Sequence, residues 1–464
     1  MKSELSGDRP VTVIGAGLAG SECAYQLARR GVPVVLYEMR PRQSTPAHKT
    51  ADFAELVCSN SLRSDDPEHA AGLLKREMSA FGSLIISSAR RTAVPAGGAL
   101  AVDRDLFAAE VTRRLAALPN LEIRLEELQS LPADAAGGEV VLATGPLTSP
   151  AMAGELQRLL GEEYLYFYDA IAPIVEAESL DFGKLFRASR YGKGNGDDYV
   201  NSPFTKAEYL AFHEALVNAE TAPLHEFEKG LFFEGCLPIE ELARRGVDTP
   251  RYGPMKPVGL RAPDGTRPYA VAQLRQENLS RSHYNLVGFQ SRLKWGEQQR
   301  VFRMMPGLEN AQFVRMGQVH RNTFINAPTH LDRHYRLKKA PHLRLAGQIT
   351  GVEGYLESAA TGLAAALYLL LERRGQAEMA DLPPTTALGA LARHLTESRA
   401  DHFQPANINY GLFEDLPAGK IRGRDRRGLF TQRAHRDLLA WMEKNHFDVE
   451  ERLAPAPVAE LQPA

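Results

Sequence analysis

The chain has 464 residues, of which 44% are hydrophobic and 24% charged, values that exclude a disordered or fibrous protein and leave room for roughly two or three domains. The formal net charge of -2 excludes no class of partner, because a local basic face can bind phosphates on a near-neutral protein. The longest apolar run, Ala359 to Leu371, is broken by Thr361 and Gly362 and is too short to span a bilayer. No membrane partner is expected. The polar opening carries no secretory signal, and the three cysteines lack metal-ligand spacing, so a reducing, cytoplasmic compartment is the expectation and no metal is predicted.

The first recognisable unit is "RPVTVIGAGLAGSECAYQLARRGVPVVLYEMRP", which reads as strand, glycine turn, helix and second strand. Within it, Gly15, Gly17 and Gly20 form G-x-G-x-x-G, with Ala16, Leu18 and Ala19 filling the turn. The first glycine permits the tight turn, the second lets backbone approach a pyrophosphate, and the third allows close helix packing, while the helix N-terminus favours the anion. Glu38 closes the second strand 18 positions after Gly20, where a carboxylate can accept ribose hydroxyls. NAD and FAD sites share this opening.

Two later segments favour FAD. "GEVVLATG" predicts a strand ending at Thr144 and Gly145, where backbone can pass close to a seated dinucleotide. "HLRLAGQITGVEGYLESAATG" predicts a strand running through Gly347, Gln348 and Gly351 into a long Ala/Leu helix. A helix N-terminus there can stabilise negative charge on a reduced flavin, although ordinary helix packing would also explain the glycines. Residues between these segments change character, with aromatic clusters and Pro-rich turns. The expected organisation is therefore 1–150 as the first part of the FAD domain, 151–334 as an insert, and 335–464 as its second part with a basic C-terminal region. The fold class is α/β: a glutathione-reductase-like Rossmann FAD domain with an inserted smaller α/β domain.

Cysteines supply the next candidates. Cys23 falls on the first helix and reads as a small buried side chain. Cys58 lies in "FAELVCSNSLRSDD", whose hydrogen-bonding residues and Arg63 resemble a ligand loop, and Cys236 lies in the constrained turn "LFFEGCLPIE". Either residue could be a nucleophile or a packing residue on composition alone. A flavin with two thiols also suits a thiol/disulfide oxidoreductase, but 177 positions separate Cys58 from Cys236, unlike a close redox pair. Separate roles as nucleophile and as acid or base remain open.

Lys420 to Arg436 contains seven Lys or Arg against one Asp, including Arg424, Arg426 and Arg427, and the expected order here is this basic run and then another helix. Such density beside aromatic residues suits an RNA backbone, so a noncatalytic RNA-binding flavoprotein is a further alternative, and a solvated helix face is the plain one.

Seven stretches together, among them "ELVCSNSLRSD", "FEGCLPIEELARRG", "NLVGFQSRLKWGEQ", "GQITGVEGYLESAATG" and "NINYGLF", resemble the bacterial folate- and flavin-dependent tRNA (uracil-5-)-methyltransferases, from Val11 to Phe413. The resemblance implies formation of 5-methyluridine at position 54 of the tRNA T-loop. It implies 5,10-methylenetetrahydrofolate as one-carbon donor and FADH2, regenerated by NADPH or NADH, as reductant; no obligate protein partner is inferred. It further implies that Cys236 adds to carbon 6 of an extruded uracil, that Cys58 is the base for the carbon 5 proton, and that Tyr355 lies near the flavin. Gln348 departs from the acidic residue common at that position in flavoproteins.

Overall fold

The computed structural model describes residues 9–45, 47–132, 138–161, 165–222, 237–317, 319–379, 381–416 and 423–450. A six-stranded sheet has the spatial order Arg336–Leu337, Ala340–Leu345, Val140–Leu142, Val11–Ile14, Val34–Tyr37 and Leu121–Arg124. All adjacent pairs are parallel except the first, which is antiparallel. "VTVI", "VVLY" and "VVL" are near-continuous apolar runs because helices cover the sheet, so alternation with polar residues is not required.

The central strand Val11–Ile14 pairs with Val34–Tyr37 in the register Val11 to Val34 and Ile14 to Tyr37, and with Val140–Leu142 on its other side. Strand order thus departs in both directions from the first strand. The carboxyl ends of these parallel strands form the crevice in which such sheets bind ligands. Behind them, the first helix, Leu18–Ala28, packs on the long buried helix Tyr355–Arg373. The packing is close enough that a Cβ on Gly362 would stand 2.1 Å from Ala19 O.

A second hydrophobic core belongs to an antiparallel six-stranded sheet ordered Phe186–Arg187, Tyr199–Phe204, Ala270–Gln276, His283–Leu286, Ile174–Glu176 and Phe313–Arg315. Its aromatic centre joins Phe204 to Phe212, Phe212 to Phe289, and Phe289 to Phe302. Helix Lys206–Asn218, which supplies Phe212, starts at a reciprocal cap between Thr205 and Glu208. The chain enters and leaves this region through an antiparallel ribbon, Leu165–Ala170 with Val319–Phe324. The architecture is therefore a Rossmann-type α/β domain interrupted by a second, antiparallel-sheet domain.

One departure from the sequence reading lies near the C-terminus, where a basic run followed by a separate helix is expected. The described part of that run is itself the start of helix Gly423–Lys444. Lys and Arg are good helix formers, and Phe430, Ala434, Leu438 and Met442, all buried, recur at a spacing of four that makes one packed stripe. Among the described residues, no helix is long and apolar enough to cross a membrane.

Candidate active site

At the carboxyl ends of the parallel strands lies a cleft of about 1060 Å³, lined by Gly15, Gly17, Leu18, Ala19, Glu38, Thr144, Gly145, Gly347, Gln348 and Tyr355, among others. Its shape follows from the glycines. Gly15 has φ +98°, and a Cβ there would lie 2.6 Å from Ala143 O. Gly20 is closed off from the cleft by packing: its Cβ would fall 1.8 Å from Gly15 O. Gly17 is the opposite case, with φ -69° and no atom within 4 Å of a Cβ, so its bare backbone faces open cleft. That is the surface a pyrophosphate needs.

Glu38 is buried and accepts bonds from Ala16 N at 3.0 Å, Arg40 N at 3.0 Å and Arg40 Nε at 2.9 Å. Burial alone would raise its carboxyl, but the Arg40 bonds and charge and the Ala16 amide outweigh it and hold the group below the ordinary carboxylate range. A carboxylate has about four acceptor positions, so capacity remains for a ribose hydroxyl. Arg40, absent from the sequence-based candidates, also pairs with Glu55 at 3.2 Å. Glycine backbone open to the cleft and an ionised acid at the end of the second strand fit an FAD.

A second cleft shares Val57, Pro146, Leu147, Gln348 and Tyr355 with the first, so the two adjoin. Cys58 lines it, together with Arg63, Gln290, Asn322 and Asn407. Cys58 N donates to the Tyr355 hydroxyl at the start of the long helix. Burial first, and the neighbouring Cys58 second, push the Tyr355 phenol well above its ordinary range, which keeps it a neutral hydroxyl. Arg63 pairs with the fully buried Glu357 at 2.5 Å, and the same Glu357 oxygen accepts Ile408 N at 2.9 Å. Gln348 donates to Glu353 at 2.9 Å while lining both clefts.

The remaining sequence candidates are placed as follows. Ala16 and Gly20 are buried in the turn beneath the first cleft, and Gly351, with φ +91°, abuts Phe403, where a Cβ would lie 2.5 Å from the ring. Cys23 is fully buried, and burial pushes its thiol up to about 12, as expected of a packing residue. Cys236 lies outside the described residues, as does the side chain of Arg424. Arg426 and Arg427 are exposed on the basic helix, which packs on the loop carrying Asn407 through Phe430 stacked on Tyr410 at 4.9 Å. Arg104, Arg315, Gln290 and Asn322 were not singled out from the sequence. Of these, only Gln290 fell within a quoted stretch, "NLVGFQSRLKWGEQ".

The family model described as "Glucose inhibited division protein A" matches residues 10–377. The chain resembles structures of Aquifex aeolicus GidA with a TM-score of 0.65 at 18% identity, covering 95% of this chain and 75% of that one, which supports the fold. A methylenetetrahydrofolate--tRNA-(uracil-5-)-methyltransferase TrmFO from Geobacter sulfurreducens is 56% identical over 433 residues, covering 93% of this chain and 98% of the relative. One of the same name from Streptococcus sanguinis is 53% identical over 444 residues, covering 94% and 99%. Identity of this extent, across both clefts and the inserted sheet, shows that the chain belongs to the methylenetetrahydrofolate--tRNA-(uracil-5-)-methyltransferase family.

Proposed function

We propose that this protein methylates carbon 5 of the T-loop uridine of tRNA, using 5,10-methylenetetrahydrofolate as one-carbon donor and FADH2, renewed by NADPH or NADH, as reductant. The observation that carries this reading is that the two clefts adjoin through shared walls, one built for a dinucleotide and the other lined by Cys58. The bound flavin and folate supply the methylene group and the hydride that together become the methyl group. The protein supplies the rest.

Gly17, Glu38, Gly145 and the Tyr355 helix N-terminus hold and orient the cofactor. The second cleft, walled by both domains, receives the target base. Uracil carbon 5 becomes nucleophilic only after a group adds to carbon 6, and a thiolate suits that addition. Cys236 is assigned this addition, and Cys58 is assigned removal of the carbon 5 proton. The base has to leave its stack to present either face to a thiol. Arg426 and Arg427, exposed on the basic helix, are assigned contacts with tRNA phosphate, and the cytoplasm is the compartment that holds these substrates.

The test combines purified protein, unmodified tRNA, methylenetetrahydrofolate and NADPH, with nucleosides read by mass spectrometry. 5-Methyluridine at the T-loop position is expected; its absence with FAD bound overturns the assignment. A Cys236→Ala protein that still forms a covalent adduct with 5-fluorouracil-containing tRNA would reverse the thiol roles.

A further inference from the structure

The loop bearing Cys58 has three successive carbonyls, and each is held by a guanidinium. Arg104 donates through Nη1 to Leu56 O at 2.6 Å and through Nη2 to Cys58 O at 2.7 Å. Arg315 donates to Val57 O between them. On its amide side, Cys58 is held by the Tyr355 hydroxyl. The loop therefore has little freedom to shift without breaking a charge-assisted bond.

These two arginines come from different domains. Arg104 opens helix Arg104–Ala116 of the FAD domain, whereas Arg315 ends strand Phe313–Arg315 of the inserted sheet. Arg104 is in turn paired with Glu277, at 2.5 Å from its Nε, and Glu277 directly follows the inserted strand Ala270–Gln276. Asn60 adds a second tie, donating to Gln276 O at 3.1 Å and accepting from Arg275 Nε at 2.8 Å. A cation in the first turn of a helix opposes the helix dipole, so this position does nothing for the helix itself. Glu277 offsets the charge, since a buried arginine without a partner would be costly.

We propose that Arg104, paired with Glu277, is a positioning residue for Cys58, fixing the thiol and keeping cationic charge beside it when the inserted domain is docked. The proposal rests on Cys58 being a reacting thiol of the function given above. Among the described residues, the charged or titratable groups around Cys58 include Arg104 and Arg315, the Arg104 partner Glu277, and the neutral Tyr355 phenol; the Arg63–Glu357 pair borders the same cleft. Removing Arg104 takes away a cation and leaves Glu277 facing the loop, which disfavours a thiolate.

The experiment uses the FAD-loaded full chain and its Arg104→Gln, Arg104→Lys and Glu277→Gln variants. It measures Cys58 alkylation by iodoacetamide against pH, mapped by mass spectrometry, together with kcat and KM for tRNA methylation. For Arg104→Gln, the alkylation midpoint is expected to rise by about one pH unit or more. Displacement of the thiol is expected to lower kcat by about 100-fold, with KM for tRNA changed by less than about threefold. Arg104→Lys should recover part of the alkylation profile. An unchanged profile in a folded, FAD-bound Arg104→Gln protein overturns the proposal, even if kcat falls. If that variant does not fold, a Glu277→Gln profile identical to the parent overturns it equally. A shifted profile with kcat intact supports the positioning role and refutes instead the assignment of Cys58 to the reaction.

Discussion

Gly17 and Gly20 stand three residues apart in one turn, yet a methyl group added at each meets different surroundings. At Gly17 the backbone has φ -69° and ψ -171°, which alanine adopts freely, and no protein atom lies within 4 Å of the new Cβ. Gly17 is an N-cap residue, where alanine is poorer than glycine, so Gly17→Ala should change apoprotein stability by less than about 1 kcal/mol. The methyl would instead occupy the space through which a pyrophosphate reaches the helix N-terminus. FAD affinity should fall by at least about tenfold, equivalent to about 1.4 kcal/mol.

At Gly20 the added Cβ would lie 1.8 Å from Gly15 O and 3.3 Å from Ala143 Cβ. The helix would have to retreat from the turn by well over about 1 Å to reach a tolerable contact, and overpacking of this kind costs about 1–3 kcal/mol. Because the obstacle is backbone rather than a flexible side chain, about 3 kcal/mol is expected for Gly20→Ala. Urea denaturation of the two apoproteins and flavin-fluorescence titration with FAD separate the effects. The reasoning is refuted if Gly17→Ala binds FAD like the parent, or if its apoprotein is destabilised as much as Gly20→Ala.

Glu77 is fully buried, and both its oxygens accept the first amides of helix Ala387–Glu397, from Ala387 and Leu388; Glu77→Ala should therefore cost about 2–4 kcal/mol in urea denaturation, and a loss below about 1 kcal/mol would show those amides re-paired. Burial raises the Glu77 carboxyl to about 8 from an ordinary 4.5, so the native state retains its proton longer than the unfolded chain. This group's contribution to stability is therefore present at low pH and declines as pH rises from about 4.5 to about 8. Glu77→Gln should abolish that part of the slope in a pH series of melts, and an unchanged slope would refute it. Tyr355→Phe leaves the Cys58 amide without its acceptor and should destabilise the protein by about 1–3 kcal/mol; a change under about 0.5 kcal/mol in denaturation would show that the amide has found another partner. Arg426→Ala with Arg427→Ala should reduce the salt dependence of tRNA binding by up to about two phosphate contacts, whereas an unchanged slope in a salt titration assigns them to a solvated face.

The features legible in the sequence were those whose cause is local. The glycine turn, Glu38 at the end of the second strand, and the late strand, glycine turn and helix each follow from a short run of backbone and its apolar period. The Cys58 loop stood out through its density of polar groups. The basic run was misread as separate from the last helix because its charges masked the stripe from Phe430 to Met442, which only packing reveals.

The amino-acid order by itself determined the dinucleotide turn and the α/β class, because turns and strand periods act over a few neighbouring positions. Only the tertiary structure decided that the two clefts share Tyr355 in their walls, and that Cys58 is gripped by Arg104 and Arg315. Arg104 stands 46 positions from the Cys58 carbonyl and Arg315 stands 258 from that of Val57, and the Arg315 contact depends on how the inserted sheet docks rather than on any local pattern.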